Sequence, residues 1–377
     1  MTFKKLLKYF LIWQTVIIFV SAVAGKFLPL QRSDTYLGGG ITHYLENPLL
    51  NFRSNFDGVH YVLIATHGYN FGQQAFFPLY SELIRFLRPY IVNPILSGVL
   101  ISTLCFFLGL VFLHRLIRLD YSEEVAKWTT VAMLVFPTSF FFTSVYTEGL
   151  FFLLTILAFY SARKSNWLLA GLFGGLASYT RLVGIFLFPA LLIELWFNSS
   201  ADLHSLAKRL LNSLFLLLIP AGLLIYINYL HATTGDPLAF YHVQRLFNQD
   251  RSLSIVMPYQ VYWRYIRMIL TVSPAAPAYY TIWLEFVTGL VFSLLTLVSI
   301  FRQRFSYAIF SLFAFAVPTF TGNLVSLPRY VLVCFPAFML IGSLYTKFPK
   351  TRLPLLLPAA VVGVISLAMF VQGFWIS

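Results

Sequence analysis

Apolar stretches of about 20 residues, the length that crosses a bilayer, recur along almost the whole chain. Hydrophobic residues make up 59% of the 377 residues and charged residues only 10%. A water-soluble domain of this size could not cover its surface with so few charges. The period-two alternation of a membrane β-barrel is absent from the sequence. The sequence therefore predicts an all-α, polytopic helical membrane protein, with residues 1–377 in a single integral membrane domain.

Hydropathy predicts about eleven transmembrane helices, with boundaries good to about four residues. The predicted spans are residues 8–25, 94–113, 128–145, 148–162, 167–180, 182–197, 210–230, 281–300, 307–323, 330–346 and 354–374. Three consecutive spans from 148 to 197 are short, which leaves open that two of them are re-entrant or tilted.

The distribution of basic residues predicts the orientation. With the N-terminus in the cytoplasm, every short cytoplasmic segment contains Lys or Arg, as the positive-inside rule requires. This clustering at span ends accounts for the net charge of +13, so no nucleic-acid partner is predicted. The short outer connections carry only two cations, Arg181 and Arg329.

Two long outer segments, residues 26–93 and 231–280, offer room for a reaction site. In the first, Asp57, His60 and His67 are spaced so that they share one face of a helix. Gly68 suits the C-terminal cap of that helix.

A second interfacial helix is expected from Pro78 to just before Pro89. Its leucines and Phe86 would lie on the membrane, while Glu82, Arg85 and Arg88 would face water or lipid head groups.

Asp57 is the residue best suited to catalysis. It is one of only 13 acids in the chain and sits at the predicted membrane surface among aromatic residues. One carboxylate suffices as general base for an inverting sugar transfer, because a phosphate leaving group departs as a stable anion without an acid. Glycoside hydrolysis, in contrast, generally needs two carboxyl groups. The alternative is that Asp57 only stabilises a helix N-terminus.

Other polar residues of the outer surface are expected to bind substrate. His60 and His67 could hydrogen-bond the substrate or Asp57. Arg181 and Arg329 could hold a lipid-linked phosphate with their planar guanidinium groups, the alternative being interfacial snorkelling. Glu148 could pair with an arginine, bind sugar hydroxyls, or act only as a helix N-terminal acid.

No metal site is predicted. The pattern of Asp57, His60 and His67 lacks the histidine pair four residues apart that metal sites on helices use. Cys105 and Cys334 both fall inside predicted spans, so neither a disulfide nor a cysteine-based site is expected. No cofactor is therefore expected, although a divalent cation such as Mg²⁺ or Mn²⁺ could neutralise a donor phosphate in place of the two arginines.

Several motifs of this chain resemble those of a known family. The blocks are Phe56-Asp57-Gly58-x-His60-Tyr61-x-x-Ile64-Ala65-x-x-Gly68-Tyr69, Ala75-Phe76-Phe77-Pro78-Leu79-Tyr80, Tyr146-Thr147-Glu148-Gly149-Leu150-Phe151, Leu169-Ala170-Gly171 through Thr180-Arg181, and Pro328-Arg329-Tyr330. In order and spacing they resemble the GPI mannosyltransferase II (PIG-V) family, within the GT-C class of integral membrane glycosyltransferases.

The resemblance implies a sugar, usually mannose, carried on polyprenyl or dolichyl phosphate and transferred with inversion on the non-cytoplasmic face. By this resemblance, Asp57 corresponds to the acid in the first outer loop of the family. Arg181 and Arg329 correspond to arginines of the family. Tyr61 and Tyr330 lie in the matching motifs and are predicted to bind substrate. Many members carry Trp where this chain has Phe56. The acceptor stays open among a glycan, a glycolipid and a protein.

Two alternatives to an enzyme are a transporter and a scaffold subunit. A transporter or flippase for lipid-linked glycans would need ionisable groups and broken helices near the bilayer midplane, where this sequence is almost wholly apolar. A scaffold subunit would need no aligned acid and histidines. The sequence favours a prokaryotic plasma membrane over the endoplasmic reticulum, because the residues Trp375-Ile376-Ser377 contain no retrieval signal.

Overall fold

The computed structural model of the protein describes residues 3–197, 206–247 and 256–376. Within these residues it contains nineteen α-helices and no β-strand, so the all-α prediction is confirmed. The helices of the first third are α1 (Phe3–Val23), α2 (Ile41–Glu46), α3 (Pro48–Asn51), α4 (Asp57–His67), α5 (Pro78–Leu87) and α6 (Pro94–Ile117).

The middle of the chain forms α7 (Glu123–Val135), α8 (Glu148–Arg163), α9 (Trp167–Thr180), α10 (Leu187–Phe197), α11 (Leu206–Leu216) and α12 (Leu218–Thr234). The last third forms α13 (Ala239–His242), α14 (Pro258–Thr271), α15 (Pro277–Arg302), α16 (Phe305–Thr319), α17 (Leu327–Tyr330), α18 (Phe335–Lys347) and α19 (Arg352–Val371).

Five helical stretches of the described residues are long and apolar enough to cross a membrane, so the chain is a multi-pass membrane protein. They are Phe3–Lys26, Pro94–Ile117, Leu206–Thr234, Pro277–Arg302 and Pro349–Val371. A pair bent by 80°, Leu327–Val333 with Phe335–Lys347, would make a sixth. The predicted number of eleven is not confirmed, because several predicted spans are shorter helices than a full crossing requires.

The predicted span 128–145 is wrong as a continuous helix. α7 ends at Val135, and Phe136 adopts an extended conformation with ψ 138°. The cause is Pro137, which disfavours the helical region for the residue before it and cannot donate a backbone hydrogen bond. Residues 138–147 then run as a 3₁₀ turn and bends that are buried throughout. Burial in protein is what allows non-helical backbone at membrane depth.

The first outer segment contains the two helices that the sequence predicts, and they pack against each other. α4 ends at His67 and is capped by Gly68 with φ 87°, and α5 begins at Pro78. The guanidinium of Arg85 does not simply face water: it donates to the carbonyl oxygens of Ile64 (2.6 Å) and Ala65 (3.1 Å). Arg85 thereby satisfies the Ala65 carbonyl, which the end of α4 leaves without a helical partner. It also shares the Ile64 carbonyl with the Gly68 N–H and ties the two helices together.

Close helix packing in the membrane region depends on glycine. α9 and α12 approach so closely that a Cβ atom on Gly222 would lie 2.0 Å from the carbonyl oxygen of Gly175. A Cβ atom on Gly175 would in turn lie 2.5 Å from the carbonyl oxygen of Leu218. Small residues permit this approach, which supplies the van der Waals contact that holds membrane helices together.

We expect Gly222→Ala to destabilise the protein, because the added methyl group must push α9 and α12 apart. Overpacking of this kind costs about 1–3 kcal/mol, which a thermal unfolding scan in detergent would record as a lower midpoint. Gly363→Ala is the matched control, because a Cβ atom there would meet its nearest neighbour at an ordinary 3.5 Å. Equal midpoints for the two variants would contradict the packing argument.

Charged residues join several helices at the end of the bundle remote from Asp57. Arg163, the last residue of α8, pairs with Asp120 and also lies 3.3 Å from Glu194. Arg304 contacts both of these acids, at 3.3 and 3.1 Å. Three segments that the sequence places on the cytoplasmic side, those containing Asp120, Arg163 and Arg304, therefore meet at one end of the molecule.

Candidate active site

Two acids that the sequence singles out begin two helices. Asp57 is the first residue of α4, and Glu148 is the first residue of α8. The segments before them are tied together by hydrogen bonds from Val145 N–H to the Arg53 carbonyl (2.8 Å) and from the Tyr146 hydroxyl to the Asn55 carbonyl (2.7 Å). These bonds bring the two helix N-termini, with their positive dipole ends, to the same place.

The two acids and the two outer arginines form one continuous chain of ion pairs. Arg329 Nη1 lies 2.7 Å from Asp57 Oδ2, and Arg329 Nε lies 3.5 Å from Glu148 Oε1. Arg181 Nη1 lies 2.8 Å from that same Oε1 atom. Two carboxylates are thus matched by two guanidinium groups, and the formal charges of the four side chains sum to zero.

Burial makes this pairing strong. Glu148 is 1% exposed and Arg329 is 6% exposed, while the side chain of Asp57 retains 20%. Charges removed from water to this degree are retained only when they are paired. Within the described residues, Glu148 Oε2 is buried without a hydrogen-bond partner. That oxygen is therefore an unused acceptor beside the arginines.

Aromatic rings support the guanidinium groups. The ring of Tyr330 contacts both of them, with its centroid 5.4 Å from Arg181 Cζ and 5.2 Å from Arg329 Cζ. Tyr146 contacts Arg329 from another side, at 5.1 Å. Rings at these distances attract cations and also restrict how the side chains can move.

The ion-pair chain lies on the wall of a cavity of about 200 Å³. Its polar lining residues are Asp57, Tyr61, Thr147, Glu148, Thr180, Arg181, Gln244, Thr321, Arg329 and Tyr330. Its apolar lining residues are Ala75, Phe76, Phe77, Leu182, Val183, Phe240, Ala314, Val317, Pro318 and Val333. A cavity lined by both charged and apolar residues suits an amphiphilic ligand with an anionic group.

The structure brings most, but not all, of the sequence-predicted site residues to this cavity. Tyr61 and Tyr330 line it together with the four charged residues. His60 lies one layer behind, with its ring stacked on Phe76 at 4.7 Å. Burial lowers the pKa of His60, an effect that the charge of Asp57 partly opposes, so the imidazole is neutral at neutral pH.

His67 does not reach the cavity. It shares the helix face of Asp57, as predicted, but it is ten residues further along α4, which is about 15 Å of helix. Its ring is exposed, and Nδ1 lies 2.8 Å from the hydroxyl oxygen of the neighbouring Thr66. A shared helix face does not bring together residues that are three turns apart.

Sequence reasoning missed several residues of the site. Thr147, Gln244 and Thr321 line the cavity from three different segments. Arg53 is 6% exposed and donates to the carbonyl of Thr143 at 2.8 Å, which fastens the segment before Asp57 to the buried turn after α7. One sequence signal could have pointed to Arg53. A cation three residues before the motif that begins at Phe56 is unusual in so apolar a chain.

The acids at the cavity face cations rather than one another. Among the described residues, no group of three or more His, Cys, Asp or Glu side chains is arranged to hold a metal ion. Both Asp57 and Glu148 already accept from a guanidinium group.

The N-terminal part of this chain matches a known protein family. Residues 1–233 match the family described as mannosyltransferase (PIG-V). A protein named GPI mannosyltransferase 2, from Cryptococcus neoformans var. neoformans serotype D strain JEC21, is 29% identical over 191 residues, which are 45% of this chain and 44% of the relative. Its namesake from strain B-3501A is 31% identical over 143 residues, 34% of each chain. These matches span less than half the length of either relative.

The fold is similar to a crystal structure of ArnT from Cupriavidus metallidurans bound to undecaprenyl phosphate, with a TM-score of 0.52 and 12% identity over 97% of this chain and 76% of that one. The oligosaccharyltransferase of Archaeoglobus fulgidus, solved with zinc and sulfate, gives a TM-score of 0.42 at 11% identity, over 96% of this chain and 53% of that one.

Proposed function

The chain belongs to the mannosyltransferase (PIG-V) family, and from that premise we propose that it transfers mannose from a polyprenyl- or dolichyl-phosphate donor to an acceptor hydroxyl, with inversion. The observation that carries the proposal is the ion-pair chain of Asp57, Arg329, Glu148 and Arg181 on the wall of a half-apolar cavity. The fold similarity to ArnT, whose structure holds undecaprenyl phosphate, supports a lipid-linked donor.

The proposed reaction needs one base and one phosphate clamp. The acceptor oxygen attacks the anomeric carbon while Asp57 takes the hydroxyl proton. The bond between the anomeric carbon and the phosphate oxygen breaks, and its electron pair stays on the phosphate. Arg181 and Arg329 stabilise the developing negative charge with charge-assisted hydrogen bonds.

The remaining residues of the cavity would orient the sugar. Glu148 Oε2 offers an acceptor for a sugar hydroxyl without breaking the bonds that its other oxygen makes. Tyr61 and Tyr330 present rings and hydroxyls along the same wall. His60 would act indirectly, by holding Phe76 against the cavity. We assign no substrate contact to His67 because it lies outside this wall.

We place the reaction on the extracytoplasmic face, with the N-terminus in the cytoplasm. In support, Glu148 and Arg163 are the first and last residues of α8, so the Asp57 site and Arg163 lie at opposite ends of that helix. Arg163 and Arg304, from two segments predicted to be cytoplasmic, both pair with Asp120 at the far end. The membrane that we propose is a prokaryotic plasma membrane. The two named relatives come from Cryptococcus neoformans, so the alternative is the endoplasmic reticulum membrane. Fractionation of the native cells distinguishes the two membranes.

We further propose that transfer needs no metal ion, because the guanidinium groups of Arg181 and Arg329 line the cavity and supply positive charge for a donor phosphate. Chelation with EDTA is then expected to leave the transfer rate unchanged. A rate that falls with EDTA and returns with Mg²⁺ or Mn²⁺ would overturn this part of the proposal.

The direct test is to incubate the purified protein with polyprenyl-phosphate mannose and a panel of glycan, glycolipid and peptide acceptors. We expect mannosylated acceptor and free polyprenyl phosphate in equal amounts. Transfer of the intact donor lipid across a liposome membrane without release of polyprenyl phosphate would instead identify a flippase. Dolichyl-phosphate mannose in a parallel reaction distinguishes the two lipid carriers.

A further inference from the structure

The backbone immediately before Asp57 is in an unusual conformation. Phe56 has φ 56° and ψ −118°, a region that residues with a side chain rarely adopt. Such a conformation persists only where the surrounding contacts impose it, and it is found disproportionately at functional sites. Because Asp57 is the first residue of α4, the conformation of Phe56 sets the direction in which the carboxylate points.

The contacts that hold Phe56 come from the distant end of the sequence. Its ring is 2% exposed and meets the ring of Trp375 edge-on at 4.9 Å and that of Phe370 at 5.7 Å. Its backbone N–H donates to the Tyr36 carbonyl at 2.8 Å. Trp375 is itself anchored, since its carbonyl accepts from the Thr281 hydroxyl at 3.1 Å.

Hydrogen bonds fasten the same two regions together. The carbonyl groups of residues 370–372 accept, in order, from Asn55 Nδ2 (2.9 Å), the Tyr44 hydroxyl (2.6 Å) and the Gln31 N–H (2.9 Å). The end of α19 would otherwise leave the carbonyls of Val371 and Gln372 without helical partners, whereas that of Phe370 also accepts from the Gly373 N–H at 3.1 Å. The first outer segment therefore serves as the cap of α19, and α19 fixes the position of that segment.

The turn that follows α19 is built for this contact. Gly373 has φ 77°, which favours glycine, and a Cβ atom there would lie 2.9 Å from Cγ of Arg32. The guanidinium of Arg32 in turn covers the ring of Phe56, with Cζ 5.1 Å from its centroid. Phe56 is thus enclosed by residues 370–375 on one side and by Arg32 on the other.

We propose that residues 370–375 position the catalytic base, and that Trp375 is a positioning residue that acts through Phe56 on Asp57. The inference rests on the proposed function, in which Asp57 removes the acceptor proton. It also extends beyond residues 1–233, the part of the chain that matches the family. Loss of the Trp375 ring lets Phe56 relax, turns the first turn of α4, and moves the carboxylate from its place 2.7 Å from Arg329.

The expected signature of Trp375→Ala is a fall in kcat of about 100-fold, the cost of misplacing a reacting group by about 1 Å. The donor KM should stay unchanged, because no residue of the phosphate clamp is altered. Trp375→Phe keeps an aromatic edge against Phe56 and should recover most of the lost rate.

A second variant keeps the test decisive if Trp375→Ala fails to fold. Phe56→Gly accepts the positive φ without strain and removes only the ring, so it should fold and show the same kcat loss at an unchanged donor KM. Where both variants fold, the double variant should be no slower than either, because both changes act through one element. Trp283→Ala, an outer aromatic residue that is 40% exposed, is the control and should keep the wild-type kcat.

Each outcome has a distinct meaning. A wild-type kcat in Trp375→Ala, or in Phe56→Gly where only that variant folds, would overturn the positioning role. Additive losses in the double variant, or a donor KM that rises in step with the loss of kcat, would do the same. Absence of mannose transfer by the wild-type protein would refute the proposed function itself. That result is distinct from the others because it concerns the wild type and not the variants.

Discussion

Asp57→Asn is expected to lower mannose transfer by about 10²–10⁴-fold, the range that a positioned general base contributes. Asparagine keeps the size of the side chain but cannot accept a proton. It also leaves Arg329 without its 2.7 Å partner. The donor should still bind, because the phosphate clamp is retained and one opposing negative charge is gone. The measurement is the initial rate of radiolabelled mannose transfer, paired with a donor-binding titration.

Glu46→Gln is the matched control for this variant. Glu46 is an exposed acid in the same outer segment and does not line the cavity. Its substitution removes the same charge, and we expect the wild-type rate. Equal rates of polyprenyl-phosphate release by Asp57→Asn and wild type would remove Asp57 from the role of base.

Arg329→Ala is expected to have the second largest effect. It should weaken donor binding more than it lowers kcat. A charge-assisted hydrogen bond to phosphate is worth about 1.5–3 kcal/mol, so the donor Kd should rise by about 10- to 100-fold. Removal of the guanidinium also leaves Asp57 and the buried Glu148 less compensated, which costs roughly 3–5 kcal/mol of folding free energy. The thermal midpoint in detergent should therefore fall as well.

Two further variants separate charge from geometry. Arg329→Lys keeps the positive charge but not the planar fork, so its Kd should fall between those of Arg329→Ala and wild type. Arg88→Ala removes an exposed outer arginine that does not line the cavity and should bind donor normally. A normal Kd for a folded Arg329→Ala would reduce Arg329 to an anchor of the fold.

The sequence predicts the all-α membrane architecture well, because hydropathy and the positions of basic residues can both be read from short stretches of the chain. It also predicts α4 and α5, whose boundaries follow from Gly68 and Pro78. The break after α7 is harder to see, because Pro137 is embedded in residues as apolar as the helix itself. A hydropathy window therefore reads two short elements as one crossing.

The site, too, could be predicted only in part. Asp57, Glu148 and both arginines could be proposed from their chemistry and from motif resemblance. Their pairing could not, because Asp57 and Arg329 are 272 residues apart and meet only through the packing of many helices. The same holds for Phe56 and Trp375, whose contact depends on where α19 ends. Tertiary contacts of this range leave no periodic signal in the sequence.

The four charged side chains of the site together carry no net formal charge, and this affects the reaction cycle. In the proposed transfer, the departing phosphate gains one negative charge as Asp57 becomes neutral, so the total charge enclosed by the cavity stays constant. The barrier then contains no cost for drawing an ion in from bulk water during the chemical step. The cost falls later, because the enzyme must return its proton to solvent before the next cycle, and the 20% exposure of the Asp57 side chain provides the route.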